Sequence, residues 1–451
     1  MKYLYPLLLM LVMPLAMADF IDASEAYENK NYSQAFKEFQ SLAKLGHHEA
    51  QHNLAVMHFF GQGTEKNPIQ AYAWASLAKA SDDEKLQQLQ GKIQANLSKQ
   101  QLIEAQQQSE TLEQQYGVDK VNRLWSPPQN KTDEIKQNSA LDETNTSDYD
   151  VTPLKRRAPR YPKPALKKGI QGWVKVRFEI HPDGTTRRPV VVDSFPRNTF
   201  DEATLKAIRG FDFEVVFKES VKPYPVTAHQ TIIYQMGDQT RYKRGYQKRI
   251  DELEKLAEED HPDAHYYLAM AMNVFSPIPE LDNWDRSQSS INQHLFKAAQ
   301  MGHLNAQYYL GHNLFSGVGG FQDRDKGLRW IILAAENGHP QAARRLSQIF
   351  SANPEQNPTE HPSHYWLVQA AEQGDLDAQL NYAEWLSQNR HDSTQIEYAL
   401  TLLDNYADER PETVVWYQTA ARLNEQSGNA KKAQKYQKKA EKLAKRLGWE
   451  M

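Results

Sequence analysis

The residues with the most evident capacity for chemistry lie at positions 48–58, where the sequence reads HEAQHNLAVMH. In the pattern H-E-x-x-H, two histidines one helical turn apart can bind zinc, and the glutamate can act as a general base beside a zinc-bound water. Here His48 and His52 would be the ligands and Glu49 the base, and His58 could supply a third ligand. This pattern raises the hypothesis of a zinc peptidase.

Three features argue against a metal site. The extended pattern, which resembles that of the metzincin peptidases, needs Gly at position 55 to turn the chain, and Ala55 resists a left-handed turn. In a continuous helix, His58 lies about 120° away from the face of His52. The segment also aligns with other parts of the chain that lack these histidines. We therefore predict no metal, no cofactor and no enzymatic activity, and keep the zinc peptidase as a third hypothesis.

The elements around this motif form an internal repeat of 36 residues. Ala306, Ala342 and Ala378 follow that spacing, and each stands four residues after a Gly, as Ala50 does. A Trp stands 24 residues after three of these alanines, at Trp74, Trp330 and Trp366. The spacing predicts two helices per unit, packed closely at the small alanine. One unit cannot bury its apolar face alone, so the units should stack into a solenoid.

These units resemble Sel-one-like repeats, which are relatives of the tetratricopeptide repeat. The resemblance implies helical blocks at 19–118 and 238–390, a tetratricopeptide-like end at 391–451, and a concave surface that binds proteins. In that end segment, Asn429-Ala430 opens a basic final helix. At three places the residue after the Gly is expected to start a helix rather than bind a ligand: His47, His303 and His339.

The N-terminus and the composition predict export. Residues 1–18 combine Lys2, an apolar core and the pattern Ala16-Met17-Ala18, which is typical of a cleavable signal peptide. The alternative is an uncleaved inner-membrane anchor facing the periplasm. The 451 residues include no Cys, so an exported chain must hold together by packing. The periplasm of a Gram-negative bacterium fits best, and a net charge of −4 gives no general attraction to nucleic acid.

One strand-rich unit interrupts the helices. Residues 119–150 are predicted to be a flexible linker because they are polar from Pro127 onward, and the unit itself spans 151–237. Two sets of side chains alternate along its first strand, as in a half-buried strand: Val174, Val176, Phe178 and Ile180 on one face, and Trp173, Lys175, Arg177 and Glu179 on the other.

A second strand should follow the turn at Asp183-Gly184. A helix should come next, and after it a third strand at 225–236. The order β-β-α-β predicts a three-stranded sheet with one helix across a face. The predicted fold class is therefore α+β multidomain, with α-helical repeat (solenoid) blocks flanking a small β-β-α-β domain.

The inserted unit resembles the TonB C-terminal domain. The resemblance is carried by residues that match in order along the unit: Pro159, Tyr161, Pro162, Ala165, Gly169, Gly172, Val174, Val176, Phe178, Ile180, Asp183, Gly184, Val190, Val192, Ser194, Ala203, Leu205, Phe211 and Phe213. It implies a domain that captures an extended segment of an outer-membrane TonB-dependent receptor, which joins the sheet as an extra strand.

The resemblance places the contact at the last strand and near the Tyr-Pro pair, and an exposed strand edge could supply the main-chain hydrogen bonds. The expected partner-binding residues are Ala158, Pro159, Arg160, Tyr161, Pro162, Val226, Thr227, Ala228, His229, Gln230, Thr231, Ile232, Ile233 and Tyr234. Alternatively, Tyr161 and Pro162 only fix the entry of the chain against the core. Seven of the residues 155–168 are Lys or Arg, which form either a solvated face or a surface that attracts an acidic partner.

The chain departs from the energy-transducing members of that family. Gly210 to Phe213 stand where a basic, Trp-containing segment followed by Pro is usual, and Val215 replaces that Pro. Strand capture remains the expectation, whereas direct force transduction is in doubt. The first hypothesis is a TonB-like periplasmic protein that binds a receptor or another TonB-system protein. The second is a repeat scaffold whose inserted unit pairs with itself or with another periplasmic protein.

Overall fold

A computed structural model describes most of the chain, namely residues 19–79, 84–128, 149–168, 170–218, 223, 225–234, 240–274, 287–388, 392–409 and 413–446. The predicted signal peptide, 1–18, and the central part of the predicted linker, 129–148, lie outside these described residues. Within the described helices, no helix is both long enough and apolar enough to cross a membrane.

Helices α1 to α7 form the N-terminal block. They are α1 Phe20–Glu28, α2 Tyr32–Lys44, α3 His48–Phe60, α4 Pro68–Ala78, α5 Glu84–Gln94, α6 Lys99–Tyr116 and α7 Val118–Leu124. The repeat residues Ala50, Leu54 and Trp74 lie in its core, with 0%, 0% and 4% of their surface exposed. These are the positions at which the repeat spacing predicts close helix packing.

The inserted unit contains β1 Tyr149–Lys155, α8 Lys163–Lys168, β2 Gly172–Ile180, β3 Thr186–Phe195, α9 Asp201–Ile208, β4 Asp212–Phe217 and β5 Val226–Tyr234. The main sheet has the strand order β3-β2-β5, with both pairs antiparallel. The β2–β3 turn includes Gly184 at φ 80°, a conformation that glycine adopts without steric cost. The three strands and the helix of the predicted β-β-α-β unit are therefore present in the predicted order.

The order β-β-α-β was nevertheless incomplete. Strands β1 and β4 pair with each other as a second, two-stranded sheet, and α8 precedes β2. Pro153 stands inside β1, and proline is tolerated there because β1 is an edge strand. The proline and the polar residues around it hide this strand from a search for alternating apolar side chains.

Helices α10 to α20 form the C-terminal array. They are α10 Thr240–Glu258, α11 Pro262–Val274, α12 Gln288–Gln300, α13 Leu304–Ser316, α14 Arg324–Glu336, α15 Pro340–Ala352, α16 Ser363–Glu372, α17 Leu376–Gln388, α18 Ser393–Glu409, α19 Val414–Gln426 and α20 Ala430–Arg446, with short 3-10 turns at Val318–Gly320 and Pro354–Gln356. The fold is thus α+β multidomain, with helical repeat blocks on both sides of a small sheet domain.

Imidazole rings start three of the repeat helices, which confirms the prediction for these residues. The Nδ1 atom of each ring accepts a hydrogen bond from the backbone amide three residues later, over 3.2 Å at His47, 3.1 Å at His303 and 3.2 Å at His339. Burial lowers the pKa of His47 to about 4 and that of His339 to about 3, so both rings are neutral acceptors near pH 7. In the next repeat Asp375 takes this place, with its Oδ1 2.9 Å from the amide of Ala378.

In three of the units, a glutamine that follows the repeat alanine links the unit to the preceding helix, a role that the sequence did not predict. Its Nε2 donates to a carbonyl at the end of that helix: Gln51 to Ala43 (3.1 Å), Gln307 to Ala299 (3.1 Å) and Gln379 to Ala371 (3.0 Å). The recurring pair Ala-Gln was the sequence signal. Each of these carbonyls also accepts the backbone amide of the following glycine, Gly46, Gly302 or Gly374, so the glutamine adds a second hydrogen bond at the helix end.

The N-terminal block contacts the C-terminal array directly. Trp330 donates its Nε1 to the carbonyl of Trp125 over 2.9 Å, and the two rings meet edge-on at 4.8 Å. Gln300 donates to the carbonyl of Leu45 over 2.7 Å. Helix α7 occupies the start of the predicted linker 119–150, and β1 occupies its end. The two repeat blocks are therefore joined in space although the inserted unit separates them in sequence.

Candidate functional site

Strand β5 lies at an edge of the main sheet. It pairs with β2 in continuous antiparallel register from Gly172 opposite Tyr234 to Ile180 opposite Val226. Across the described residues, no strand pairs with the other side of β5. The strand predicted to capture a partner therefore presents one row of backbone groups to which a further strand can bind.

The two faces of β5 have different surroundings. Val226, Ala228, Ile232 and Tyr234 belong to the face that packs toward the core of the unit, with Val226 4% and Tyr234 3% exposed. Gln230 shares this face by its register with Val176. The opposite face carries Thr227, His229, Thr231 and Ile233. Ile233 is 41% exposed, so this second face offers side-chain contacts to an added strand.

Tyr161 has a structural role and also touches the end of β5. Its hydroxyl donates to the carbonyl of Ile170 over 2.5 Å, and its ring meets Phe200 and Tyr234 edge-on, each at 5.5 Å. Tyr234 in turn stacks on Phe200 at 4.1 Å. The structure thus supports the alternative in which Tyr161 fixes the chain against the core, and it brings the two predicted parts of the site together at Tyr234.

The other residues of the predicted 158–162 segment are more open. Ala158 and Arg160 are exposed, and Pro159 and Pro162 are half-buried. The carbonyl of Pro162 accepts from the amide of Leu166 over 2.9 Å at the start of α8. Ala158 and Arg160 therefore remain available to a partner, whereas Pro162 helps to start a helix.

The polar face of β2 is covered, so the prediction of a half-buried strand was wrong. Trp173 is 1% exposed and packs among residues of the C-terminal array, including Ile250 and Tyr267. Arg177, on the same face, has only 11% of its side chain exposed. Alternation of polar and apolar residues is the same whether the polar face meets water or a second polar surface. The sequence pattern therefore could not distinguish the two.

The sheet–array interface consists of this face of β2 and β3 together with the array residues it contacts. Arg177 pairs with Asp377 of α17 over 2.8 Å, and the Lys175 ammonium lies 4.3 Å from the ring centre of Tyr309 in α13. A second pair of residues, on β3, extends the interface to α18 and α11: Arg188 donates to the hydroxyl of Tyr406, and Asp193 accepts from that of Tyr266. The contacts thus run from the first to the later repeats of the array.

Burial controls the charges of this interface. It lowers the pKa of Lys175 and raises the pKa of Asp193, and in each case the neighbouring opposite charge or hydrogen bond opposes the shift. Burial also raises the pKa of Tyr266 well above its ordinary value. Partial desolvation and the positive charges of Lys175 and Arg177 lower the pKa of His229 on β5, so its ring is neutral near pH 7.

The histidine motif does not form a metal site within the described residues. His48 and His52 lie near amide side chains, with Nδ1 3.2 Å from Gln51 Oε1 and 3.4 Å from Asn53 Oδ1 respectively. His58 is buried and meets Phe36 edge-on at 5.1 Å, and burial lowers its pKa to about 4. No three or more His, Cys, Asp or Glu side chains of the described chain are grouped to hold an ion. Glu49 shares the first turn of α3 with His48.

A cleft of about 1110 Å³ opens where the N-terminal block meets the array. Its walls carry amides, lysines and two carboxyl groups, Glu38 and Glu336. Burial raises the pKa of both carboxyl groups. The volume is slightly above the usual range of ligand-binding clefts, and apolar side chains, among them Leu45, Leu124 and Trp125, line the cleft beside the polar ones.

Two protein families match parts of this chain. Residues 157–236 match the Gram-negative bacterial TonB protein C-terminal family, and residues 48–83, 304–339 and 340–375 match the Sel1 repeat. Both resemblances inferred from the sequence are confirmed. Each match covers a segment, and the first falls on the inserted unit while the others fall on the helical blocks.

Curated relatives match part of this chain. Protein TonB of Yersinia enterocolitica is 31% identical over 87 residues, which is 19% of this chain and 31% of the relative. Protein TonB of Pseudomonas aeruginosa is 36% identical over 76 residues, which is 17% of this chain and 22% of the relative. The chain therefore spans less than a third of the length of either relative.

Among solved structures, a Sel1 repeat protein from Oxalobacter formigenes aligns with 86% of this chain and 99% of its own, at 14% identity and a TM-score of 0.30. At that score the alignment carries no argument about how the parts of this chain are arranged.

Proposed function

We propose that this protein binds an extended segment of an outer-membrane TonB-dependent receptor, or of another TonB-system protein, by strand addition at the outer edge of β5. The observation that carries the proposal is the unpaired side of β5 in the described sheet, on a unit that matches the TonB C-terminal family. Main-chain hydrogen bonds would supply affinity, and the side chains beside the edge would supply selectivity.

The partner-binding residues of the proposal are those predicted from the sequence, 158–162 and 226–234. An added strand would run along Thr227, Thr231 and Ile233 and would approach Tyr161 at the end of β5. The division of the chain at 118, 150, 237 and 390 belongs to the same proposal. In it, the helical repeats act as a scaffold that holds the sheet by the sheet–array interface while the edge stays open.

The proposed location is the periplasm, reached by a signal peptide at 1–18, and the protein has no enzymatic role in this proposal. The inner-membrane anchor remains the alternative for the N-terminus. The second hypothesis, a repeat scaffold without energy transduction, is favoured by one observation, namely the cleft between the two repeat blocks. In that hypothesis the β5 edge would pair with a second copy of this chain.

The absence of cysteine permits a sharp test of strand addition, because any introduced thiol is unique. Thr227→Cys, Thr231→Cys and Ile233→Cys variants of the full chain would be mixed with receptor-derived peptides that carry one Cys at successive positions. Disulfide formation should be strongest at peptide positions that alternate with period two, since neighbouring side chains of an added strand point to opposite faces. The matched control is Leu154→Cys, whose residue is 66% exposed on the other sheet.

The outcomes separate the two hypotheses. Cross-links to the β5 variants that follow the alternation, with little at Leu154→Cys, support strand addition. Equal cross-linking at the control position, or no alternation, would overturn it. Rapid disulfide formation between two copies of the Ile233→Cys chain, unaffected by peptide, would support pairing of this chain with itself.

A further inference from the structure

The last helix concentrates positive charge on a chain whose net charge is −4. Helix α20 has 17 residues, of which one, Glu441, is acidic. Eight are basic, and all eight are exposed: Lys431, Lys432, Lys435, Lys438, Lys439, Lys442, Lys445 and Arg446. The remainder of the chain is correspondingly more acidic, so the charge of α20 is a local feature.

The basic side chains lie on one face of α20. At 100° per residue, all eight fall within an arc of about 140°, along a row about 22 Å long. The opposite face packs on α19, where Tyr436 meets Trp416 edge-on at 5.4 Å. Ala440 and Ala444 are 0% and 1% exposed. The array thus holds the helix by its apolar side and presents the charged side outward.

The basic groups of this face are not neutralised by ion pairs within the described residues. Within the described part of the chain, none of the eight basic groups forms an ion pair with a carboxylate, although Lys439 lies 5.1 Å from the ring centre of Tyr417. Lysines four residues apart, such as Lys431 and Lys435 or Lys438 and Lys442, repel each other and weaken the helix. An anionic surface that neutralised the row would relieve this repulsion.

We propose that α20 docks the protein onto a phospholipid bilayer that carries anionic headgroups. A straight row of fixed positive charges suits a flat surface whose headgroups can move laterally to meet it. The charged face exposes no large apolar side chain, so the contact is electrostatic and peripheral rather than inserted. The inference depends on the exported location proposed above, but not on strand addition, and vesicle binding can be measured without any receptor peptide.

The test is co-sedimentation of the full chain with phosphatidylglycerol–phosphatidylcholine vesicles at low salt, with pure phosphatidylcholine vesicles in parallel. Binding should require phosphatidylglycerol and should disappear at 0.5 M NaCl, because salt screens exposed charges. Each lysine near an anionic surface strengthens binding about fivefold. The variant Lys435→Gln/Lys438→Gln/Lys442→Gln should therefore bind about a hundredfold more weakly, whereas Lys→Arg at the same positions should retain binding.

The matched control is Lys163→Gln/Lys167→Gln/Lys168→Gln, which removes the same charge from exposed lysines of α8. Unchanged vesicle binding by this control, with loss in the α20 variant, supports the proposal. An equal loss of vesicle binding in both triple variants would show that binding depends on net charge alone, and this result would overturn the proposal. Binding to duplex DNA or heparin without binding to vesicles would assign the helix to a soluble polyanion and would also overturn it. Circular dichroism of each variant checks that α20 remains folded.

Discussion

Arg177 and Asp377 connect the inserted sheet to the helical array, and truncation of either residue should weaken that attachment. Their side chains are 2.8 Å apart, with 11% and 27% of their surface exposed. A charge-assisted hydrogen bond of this kind contributes about 1.5–3 kcal/mol when it is well buried. Because water still reaches Asp377, we expect a coupling free energy of about 1–2 kcal/mol between the two residues, which corresponds to about a 5- to 30-fold change in an equilibrium constant.

The assay is a double-mutant cycle with Arg177→Ala, Asp377→Ala and the double variant, followed by hydrogen exchange of the β2 amides in the full chain. Each single variant should lower the protection of β2, and the double variant should lose less than the sum of the two. The control is the same cycle on Lys155 and Asp212, a pair 3.4 Å apart whose side chains are 53% and 47% exposed. That pair should show a coupling below about 0.5 kcal/mol.

Additive effects at Arg177 and Asp377, within about 0.3 kcal/mol, would refute the reasoning. They would show that the two side chains act independently and that the sheet is not held on the array at this point. A coupling as large at Lys155 and Asp212 would refute it differently, because burial at the interface would then not be the source of the stabilisation.

Two further predictions concern the repeats. The pKa of His339 is lowered to about 3 by burial, so in the acid range the unfolded chain binds a proton that the folded chain does not. The stability due to this ring is complete above pH 6.5 and falls by about 1.4 kcal/mol per pH unit below it. His339→Asn, which keeps a capping acceptor, should therefore lose less thermal stability than the wild type between pH 7 and pH 5, and an equal loss would contradict this. Gly327→Ala should destabilise the array by about 1–3 kcal/mol in thermal unfolding, because the helices approach too closely for an added methyl group. The new Cβ would lie 2.4 Å from the backbone nitrogen of Phe315. Gly91→Ala, with nothing within 4 Å, is the control and should stabilise by about 0.5–1 kcal/mol; a similar sign for both would be evidence against close packing at Gly327.

The sequence predicted the helices of the repeats, but it did not predict the contacts between these helices and the inserted sheet. The shared position after a Gly predicted the helix starts at His47, His303 and His339, because capping is a local interaction that recurs with its residues. The alternation at 173–180 predicted the strand and its core face. It could not predict that Arg177 meets Asp377, since that contact joins residues 200 positions apart.

For the candidate site, the sequence predicted the position of the edge strand but not its register or the residues that contact it. The register of β5 and the contact of Tyr161 with Tyr234 depend on packing across the unit. The pairing of β1 with β4 also joins segments that are distant in the sequence. Such pairs are set by long-range packing, and no local pattern in either strand reports them.

The contact between Trp125 and Trp330 has a consequence for biosynthesis. The two residues are 205 positions apart, so the ribosome must add more than two hundred residues before the end of the N-terminal block can be covered. At about 5–20 residues per second, that interval lasts roughly 10–40 s. Until the array is made, the side chains of Leu45 and Trp125, which pack with its core, lack their array neighbours. A nascent chain of this protein therefore offers a long-lived apolar surface to chaperones, and its yield should depend on them more than that of an uninterrupted repeat protein.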